Sequence, residues 1–193
     1  ICAKDMPNAL AVIAIAEEGG LLNAPDMYMD KIAIGPGYPD GIIDLDKPVA
    51  DVLRDLAKAK GVPVREITAC ILDRPRHQEL IDAVRKSGAG VRLIPDGDIA
   101  GVIWTTNPGQ TGTDVYLGSG GAPEGVLAAA ALRCIGGQMQ GRLILDTEEK
   151  RERAMKMGIS DPRKRYEMED MVRGDCLFSA TGVTTGSMLK GVR

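Results

Sequence analysis

Three short polar segments carry the residues whose types and spacing suggest chemistry. The first is Asp73-Arg74-Pro75-Arg76-His77, the second Pro95-Asp96-Gly97-Asp98, and the third Gly118-Ser119-Gly120-Gly121-Ala122-Pro123-Glu124-Gly125. Arg74 and Arg76 offer forked donors that match phosphate oxygens, and Pro75 stiffens the loop between them. The alternative is a surface turn with two solvated arginines. Asp96 and Asp98 can accept hydrogen bonds from sugar hydroxyls, with Gly97 letting the backbone come close. Equally, an Asp-Gly-Asp run makes a turn and a helix cap, with Asp98 as the natural cap. The glycine-rich run can turn backbone N–H groups and a helix start toward an anion. Glu124, in the first helical turn, reads either as a dipole-stabilised helix-start residue or as a hard-metal ligand. His77, the single histidine, reads first as a residue that caps a helix or lines a pocket. No nucleophile-elbow motif supports a Ser-His-Asp triad.

The elements that would position these segments follow from apolar patterning. Ile67 to Leu72 is an unbroken apolar run, as in a buried parallel strand, and it precedes the arginine segment. Gly90 to Ile94 precedes the Asp-Gly-Asp segment, and Asp114 to Leu117 precedes the glycine run. Helices fit Val49 to Lys60 with Gly61 as a stop, Glu79 to Lys86, Ile99 to Trp104, Gly125 to Ile135 and Glu148 to Met157. Cys176 to Ala180 reads as a further strand. Alternating strands and helices predict an α/β fold with a mostly parallel sheet covered on both faces. Ligands in such sheets collect beyond the carboxyl ends of the strands. The three polar segments should therefore converge on one edge. Upstream, Ala9 to Ala16 with the turn Glu17 to Gly20 and the return at Leu21-Leu22 predicts a hairpin, and Met27 to Ile34 another strand.

Bulk properties narrow the class. A chain of 193 residues suffices for one good-sized α/β domain or a domain plus part of another. Aromatics make up only 3%, so the core must be aliphatic and methionine-rich, and base-stacking platforms for nucleic acid are nearly absent. The net charge of −3 comes without a basic tail, so neither a nucleic-acid nor a membrane partner is expected. The cluster Arg163-Lys164-Arg165 reads as a solvated helix face. Cys2, Cys70, Cys134 and Cys176 lack metal spacing and read as reduced thiols of a cytoplasmic protein. The glycine run is neither a P-loop nor a dinucleotide fingerprint, which argues against a Rossmann-type oxidoreductase.

Six stretches in order resemble the bacterial class II fructose-1,6-bisphosphatases, including the dual fructose/sedoheptulose-bisphosphatases. They are Asn8 to Val12, Asn23 to Met29, Arg74 to His77, Pro95 to Asp98, Gly120 to Gly125 and Phe178 to Gly182. The resemblance implies a layered sheet-and-helix sugar phosphatase fold of the inositol-phosphatase-like superfamily. It implies hydrolysis of the 1-phosphate of fructose 1,6-bisphosphate to fructose 6-phosphate, with Mn²⁺ or Mg²⁺, and a homo-oligomer. It implies that Tyr28 contacts a substrate phosphate and that Arg74, Pro75 and Arg76 form a second substrate segment. By the same resemblance Asp96, Gly97 and Asp98 contact the sugar, Gly121 binds substrate through its backbone, and Glu124 is a metal ligand.

The family's other metal carboxylates lie in acidic motifs N-terminal to Ile1, and no catalytic group is assigned within these residues. The expectation is a partial chain lacking its first part. Residues 1–35 would be the remnant of an N-terminal metal-binding domain, and 36–193 a C-terminal substrate-binding domain short of its end. Such a piece is expected to be inactive alone. Other readings are another sugar or inositol phosphatase, or a non-catalytic sugar-phosphate-binding module.

Overall fold

The computed structural model describes residues 1–2 and 6–192. Among the described residues eight strands and seven α-helices follow one another. The strands are β1 (Leu10–Ala16), β2 (Tyr28–Ile34), β3 (Thr68–Leu72), β4 (Gly90–Ile94), β5 (Val115–Gly121), β6 (Gln138–Leu143), β7 (Arg165–Tyr166) and β8 (Cys176–Gly182). The helices are α1 (Val49–Lys60), α2 (Gln78–Lys86), α3 (Asp98–Trp104), α4 (Pro108–Thr111), α5 (Ala122–Ile135), α6 (Glu148–Lys156) and α7 (Met168–Met171).

Six strands form one sheet in the order β4-β3-β5-β2-β6-β7. The pairings β3–β4 and β3–β5 are parallel, whereas β2–β5, β2–β6 and β6–β7 are antiparallel. The sheet is therefore mixed, which corrects the mostly parallel expectation. The reason is β2, which enters the middle of the sheet running against its neighbours. On either side of it β3, β4, β5 and β6 still point one way, so their carboxyl ends share an edge with the first residue of β2.

The expected hairpin is also corrected. The turn at Glu17 exists, with the Gly20 N–H donating to the Glu17 carbonyl at 2.8 Å, but the chain does not return along β1. Instead β1 pairs antiparallel with β8, from Leu10 opposite Gly182 to Ala16 opposite Cys176. Leu21 bridges to Val172. The apolar side of β1 finds a more complementary partner in the last strand than in a two-residue return.

The layers follow from the two sides of the sheet. One side packs Ile32, Ile34, Ile71 and Leu117 against Leu53 and Leu56 of α1 and Ile81 and Val84 of α2. The other packs Met29, Ala33, Cys70 and Tyr116 against α3 and α5. Helix α5 is buried on nearly all sides, between the sheet and the β1–β8 ribbon, whose Leu10, Ala14, Cys176 and Phe178 face it. Its alanines allow that close approach from two directions. The ribbon's other side leaves Ile13, Ile15 and Leu177 exposed.

Helix stops obey local chemistry. Gly61 and Gly136 sit in the left-handed region just past α1 and α5, as their sequence positions predict. The Arg163-Lys164-Arg165 run is not on a helix. Arg165 lies in β7 and pairs with Asp44, Asp46 and Glu167, and Lys164 pairs with Asp170. No helix among the described residues is long and apolar enough to cross a membrane.

Candidate functional site

The three polar segments do meet at the shared carboxyl edge. Beyond β3 the chain forms a 3-10 turn over Pro75–His77, beyond β4 it enters α3, and beyond β5 it enters α5 directly. Tyr28, the first residue of β2, stands opposite Gly121 in the β2–β5 register.

Arg76 is the best-anchored of the predicted residues. Its Nε donates to Ser119 Oγ at 2.9 Å and its Nη2 to the Ser119 carbonyl at 2.9 Å. The guanidinium lies over the Tyr28 ring, 4.6 Å from its centroid, a cation–π arrangement. Tyr28 itself is 48% exposed, so its hydroxyl is not locked into the core. Both residues line a cleft of about 810 Å³ together with Asp30, His77, Ser119 and Lys150.

His77 stands at the N-cap position of α2 without a side-chain cap bond, and its buried ring braces two strands. Its Nδ1 lies 2.7 Å from the Leu72 carbonyl, and its Nε2 accepts the Ser119 backbone N–H at 2.9 Å. This pattern fits a neutral ring protonated at Nδ1, leaving Nε2 as an acceptor. Burial lowers the His77 pKa below its usual value. The Leu72 carbonyl opposes that shift, and the Arg76 charge adds to it. Asp30, across the strand from Ser119, is shifted the other way. Loss of solvation around its carboxylate raises its pKa, against the pull of His77, Arg142 and Arg76.

The opposite side of the same edge holds a buried ion pair. Lys31, 1% exposed, pairs through Nζ with Asp98 Oδ2 and donates to the Gly121 carbonyl at 2.9 Å. Asp98 Oδ1 accepts the Ile99 N–H at 3.0 Å. Asp98 is therefore the first residue of α3, tied to Lys31, while Gly97 occupies the cap position with φ 88°, contrary to the expected Asp98 cap. Glycine is required beside this pair. A side-chain carbon at Gly120 would strike the Asp98 carboxylate and the Lys31 ammonium, and one at Gly121 would strike the Glu124 carboxylate.

The remaining predicted residues make contacts close in sequence. Glu124 is exposed in the first turn of α5, folded back over Gly121. Arg74 donates to the Asp73 carbonyl at 2.9 Å, and Pro75 is exposed. Asp96 is exposed, its Oδ1 accepting the adjacent Gly97 N–H. Tyr28, Arg76, Gly121 and Glu124 thus gather around one strand end. Asp98 and Gly97 sit behind it, and Arg74, Pro75 and Asp96 on its rim.

Sequence reasoning missed Lys31 and Ser119. The signal for Lys31 was present. In the run Met27 to Ile34 the period of two places it with Met29 and Ala33 on a buried side, where a lone lysine needs a carboxylate partner. Ser119 carried no such signal, because its role depends on Arg76 and His77, side chains from the turn after β3.

A hard divalent ion takes about six oxygen donors. Among the described residues no three His, Cys, Asp or Glu side chains converge. Asp98 is already committed to Lys31, so Glu124 stands as a single carboxylate. The described residues do not make a divalent-ion site by themselves.

An arginine and a tyrosine at a glycine-lined strand end, beside a helix start, are residue types that suit a phosphate group. The family model of bacterial fructose-1,6-bisphosphatase, glpX-encoded, matches residues 1–193, and the chain belongs to that family. It is 42% identical, over 100% of its length, to the D-fructose 1,6-bisphosphatase class 2/sedoheptulose 1,7-bisphosphatase of Synechococcus elongatus, covering 59% of that protein. It is 45% identical, over 98% of its length, to fructose-1,6-bisphosphatase 1 class 2 of Escherichia coli K12, covering 60% of that protein. The chain thus spans about three-fifths of the length of these relatives.

Proposed function

We propose that these residues form the sugar-phosphate-binding part of a class 2 fructose-1,6-bisphosphatase, a phosphoric monoester hydrolase acting on fructose 1,6-bisphosphate and also on the seven-carbon bisphosphate. Family membership supports the reaction class. The single structural observation behind the reading is Arg76, fixed by Ser119 and stacked on Tyr28 in an open cleft. Two of its five N–H groups are spent on Ser119, and the others can take phosphate oxygens. Because the guanidinium is held before ligand arrives, little side-chain entropy is lost on binding.

On this reading Tyr28 and Arg76 hold one phosphate. The start of α5, with Gly121 presented by its close turn, faces the other end of the substrate. Arg74 and Asp96 on the rim contact the sugar or its second phosphate when it enters. Asp98 acts there through Lys31, keeping the Gly121 carbonyl and the glycine turn in place. A divalent ion, Mg²⁺ or Mn²⁺, belongs to this reading with Glu124 as one oxygen donor, the others coming from outside the described residues. The chain would then bind substrate without turning it over. Residues 1–35 as part of a metal-binding domain, a homo-oligomeric assembly and a cytoplasmic setting belong to the same proposal.

Calorimetric titration of the chain with fructose 1,6-bisphosphate tests it. Saturable binding should weaken roughly 10–100-fold in Arg76→Ala, the loss of about 1.5–3 kcal/mol expected for charged hydrogen bonds. Equal binding by the wild type and the variant would remove Arg76 from the site. Phosphate release by the chain with Mn²⁺ would show that the described donors suffice for catalysis and would overturn the binding-only assignment.

A further inference from the structure

Away from the cleft, at the far end of α5, two of the four cysteines meet. Cys134 lies in the last turn of α5 and Cys176 opens β8. Their sulfurs are 3.5 Å apart, although the residues are 42 positions apart in sequence. The thiols are turned toward each other by their surroundings. The Cys134 thiol also reaches the Cys176 carbonyl at 3.5 Å, and the Cys176 thiol reaches the Ala130 carbonyl at 3.6 Å. Both are free, Cys134 is exposed and Cys176 is half-buried, so a small reagent in solvent can reach the first and the first can reach the second. The other two differ in kind. Cys70 is buried, which pushes its thiol up to about 12, and Cys2 is exposed but has no cysteine partner.

We propose that Cys134 and Cys176 are a reversible modification site, closing to a disulfide when the chain meets a small-molecule disulfide oxidant of the glutathione type. Cys134 loses its proton to solvent and its thiolate attacks one sulfur of the oxidant. That breaks the oxidant's S–S bond and releases one small thiolate. Cys176 then gives up its proton and attacks the Cys134 sulfur of the mixed disulfide, releasing the second small thiolate. Two cysteine thiols are oxidised by two electrons, one small disulfide is reduced to two thiols, and the two protons lost are regained by those thiols. Moving from 3.5 Å to a bond of about 2 Å needs a shift of about 1.5 Å, shared between two side chains.

Burial and the neighbouring Cys134 thiol hold the Cys176 pKa above its usual value. That suits Cys176 to the second, intramolecular step rather than to first attack. The closed bond would tie the end of α5 to the ribbon and enclose β6, α6, β7 and α7 in one loop. The site stands apart from the phosphate-binding reading and does not depend on it.

The test uses the whole chain, exposed to glutathione disulfide at graded ratios to glutathione, with free thiols then trapped and the products mapped by mass spectrometry. The expected product carries two fewer trapping groups than the reduced chain and a cross-link between the peptides of Cys134 and Cys176, and it reverts fully with dithiothreitol. In Cys176→Ser, Cys134 should accumulate as the glutathione adduct. A stable adduct on Cys134 of the unmutated chain with no cross-link would overturn the proposal. So would both thiols remaining free at every ratio, or cross-links made through Cys2. Because the decisive reading is on the unmutated chain, misfolding of a variant leaves the proposal testable.

Discussion

The two ends of the central sheet solve one problem in two ways. At the amino end, Asp114 at the start of β5 pairs with Lys60 from the end of α1 and accepts the Thr68 N–H at 2.9 Å. At the carboxyl end, Asp98 pairs with Lys31 and accepts the Ile99 N–H. Both pairs place a lysine and an aspartate between neighbouring elements. At the amino end the lysine is 32% exposed and approaches from outside. At the carboxyl end it is sealed, and the neighbouring backbone is glycine, leaving room for Glu124, Tyr28 and Arg76 to stay accessible. An ion pair that closes a surface is an ordinary tie. One that is buried beneath an open cleft sets the shape of that cleft.

Breaking the buried pair should have the largest effect. Lys31→Met leaves Asp98 without its counter-charge beneath α3 and the glycine turn, at a cost of about 3–5 kcal/mol. Urea unfolding should show a loss of unfolding free energy of that size, read from the midpoint shift and the slope, and a loss under about 1 kcal/mol would mean water already solvates Asp98. Next is Gly120→Ala, whose added carbon meets the Asp98 carboxylate and the Lys31 ammonium. Overpacking there should cost about 1–3 kcal/mol, with little change on the equivalent substitution at Gly109, where the added carbon meets only Asn107 Oδ1 at 3.9 Å.

A smaller effect is expected from pH. His77 has its folded pKa lowered by burial. Below its unfolded value near 6.5 the unfolded chain binds the proton that the folded ring resists. Stability from this group is therefore full above about pH 6.5 and falls as the pH drops toward the folded pKa. His77→Gln should flatten the thermal-unfolding profile over that acid limb, and an unchanged slope would assign the pH dependence elsewhere. Lys60→Met should cost less than Lys31→Met, because the ammonium lost is 32% exposed and the buried Asp114 keeps the Thr68 N–H. If Lys60→Met proved as costly as Lys31→Met, the contrast between the two ends would fail.

How much could be read in advance differs by element. Helix α1 was legible from its apolar stripe and Gly61, and β3 and β4 from unbroken or nearly unbroken apolar runs. Strand β6 was missed. Its Gln138, Gln140 and Arg142 alternate with Met139 and Leu143 in the period of a half-buried strand, but the preceding Gly136-Gly137 reads most simply as the end of a helix. The β1–β8 ribbon was illegible for another reason, since local turn signals say nothing of a partner more than a hundred and fifty residues away. In the site, Arg76 and Glu124 stood out by residue type and by the elements preceding them. Lys31 and Ser119 act through Asp98 in α3 and through Arg76 and His77 in the turn after β3, partners that only the assembled sheet edge brings beside them.

That register also fixes an order of events during synthesis. Strand β2 is made early, yet its two neighbours, β5 and β6, follow about eighty and about one hundred residues later. At roughly 5–20 residues per second, β2 waits unpaired for some 4–16 seconds before the first of them leaves the ribosome. Arg76 and Asp98 are made within that interval, but Ser119, which anchors the Arg76 guanidinium, and the Gly121 carbonyl, which accepts from Lys31, arrive only with β5. The site is assembled in a single late step, when the glycine turn arrives and the strand made long before is drawn in beside it.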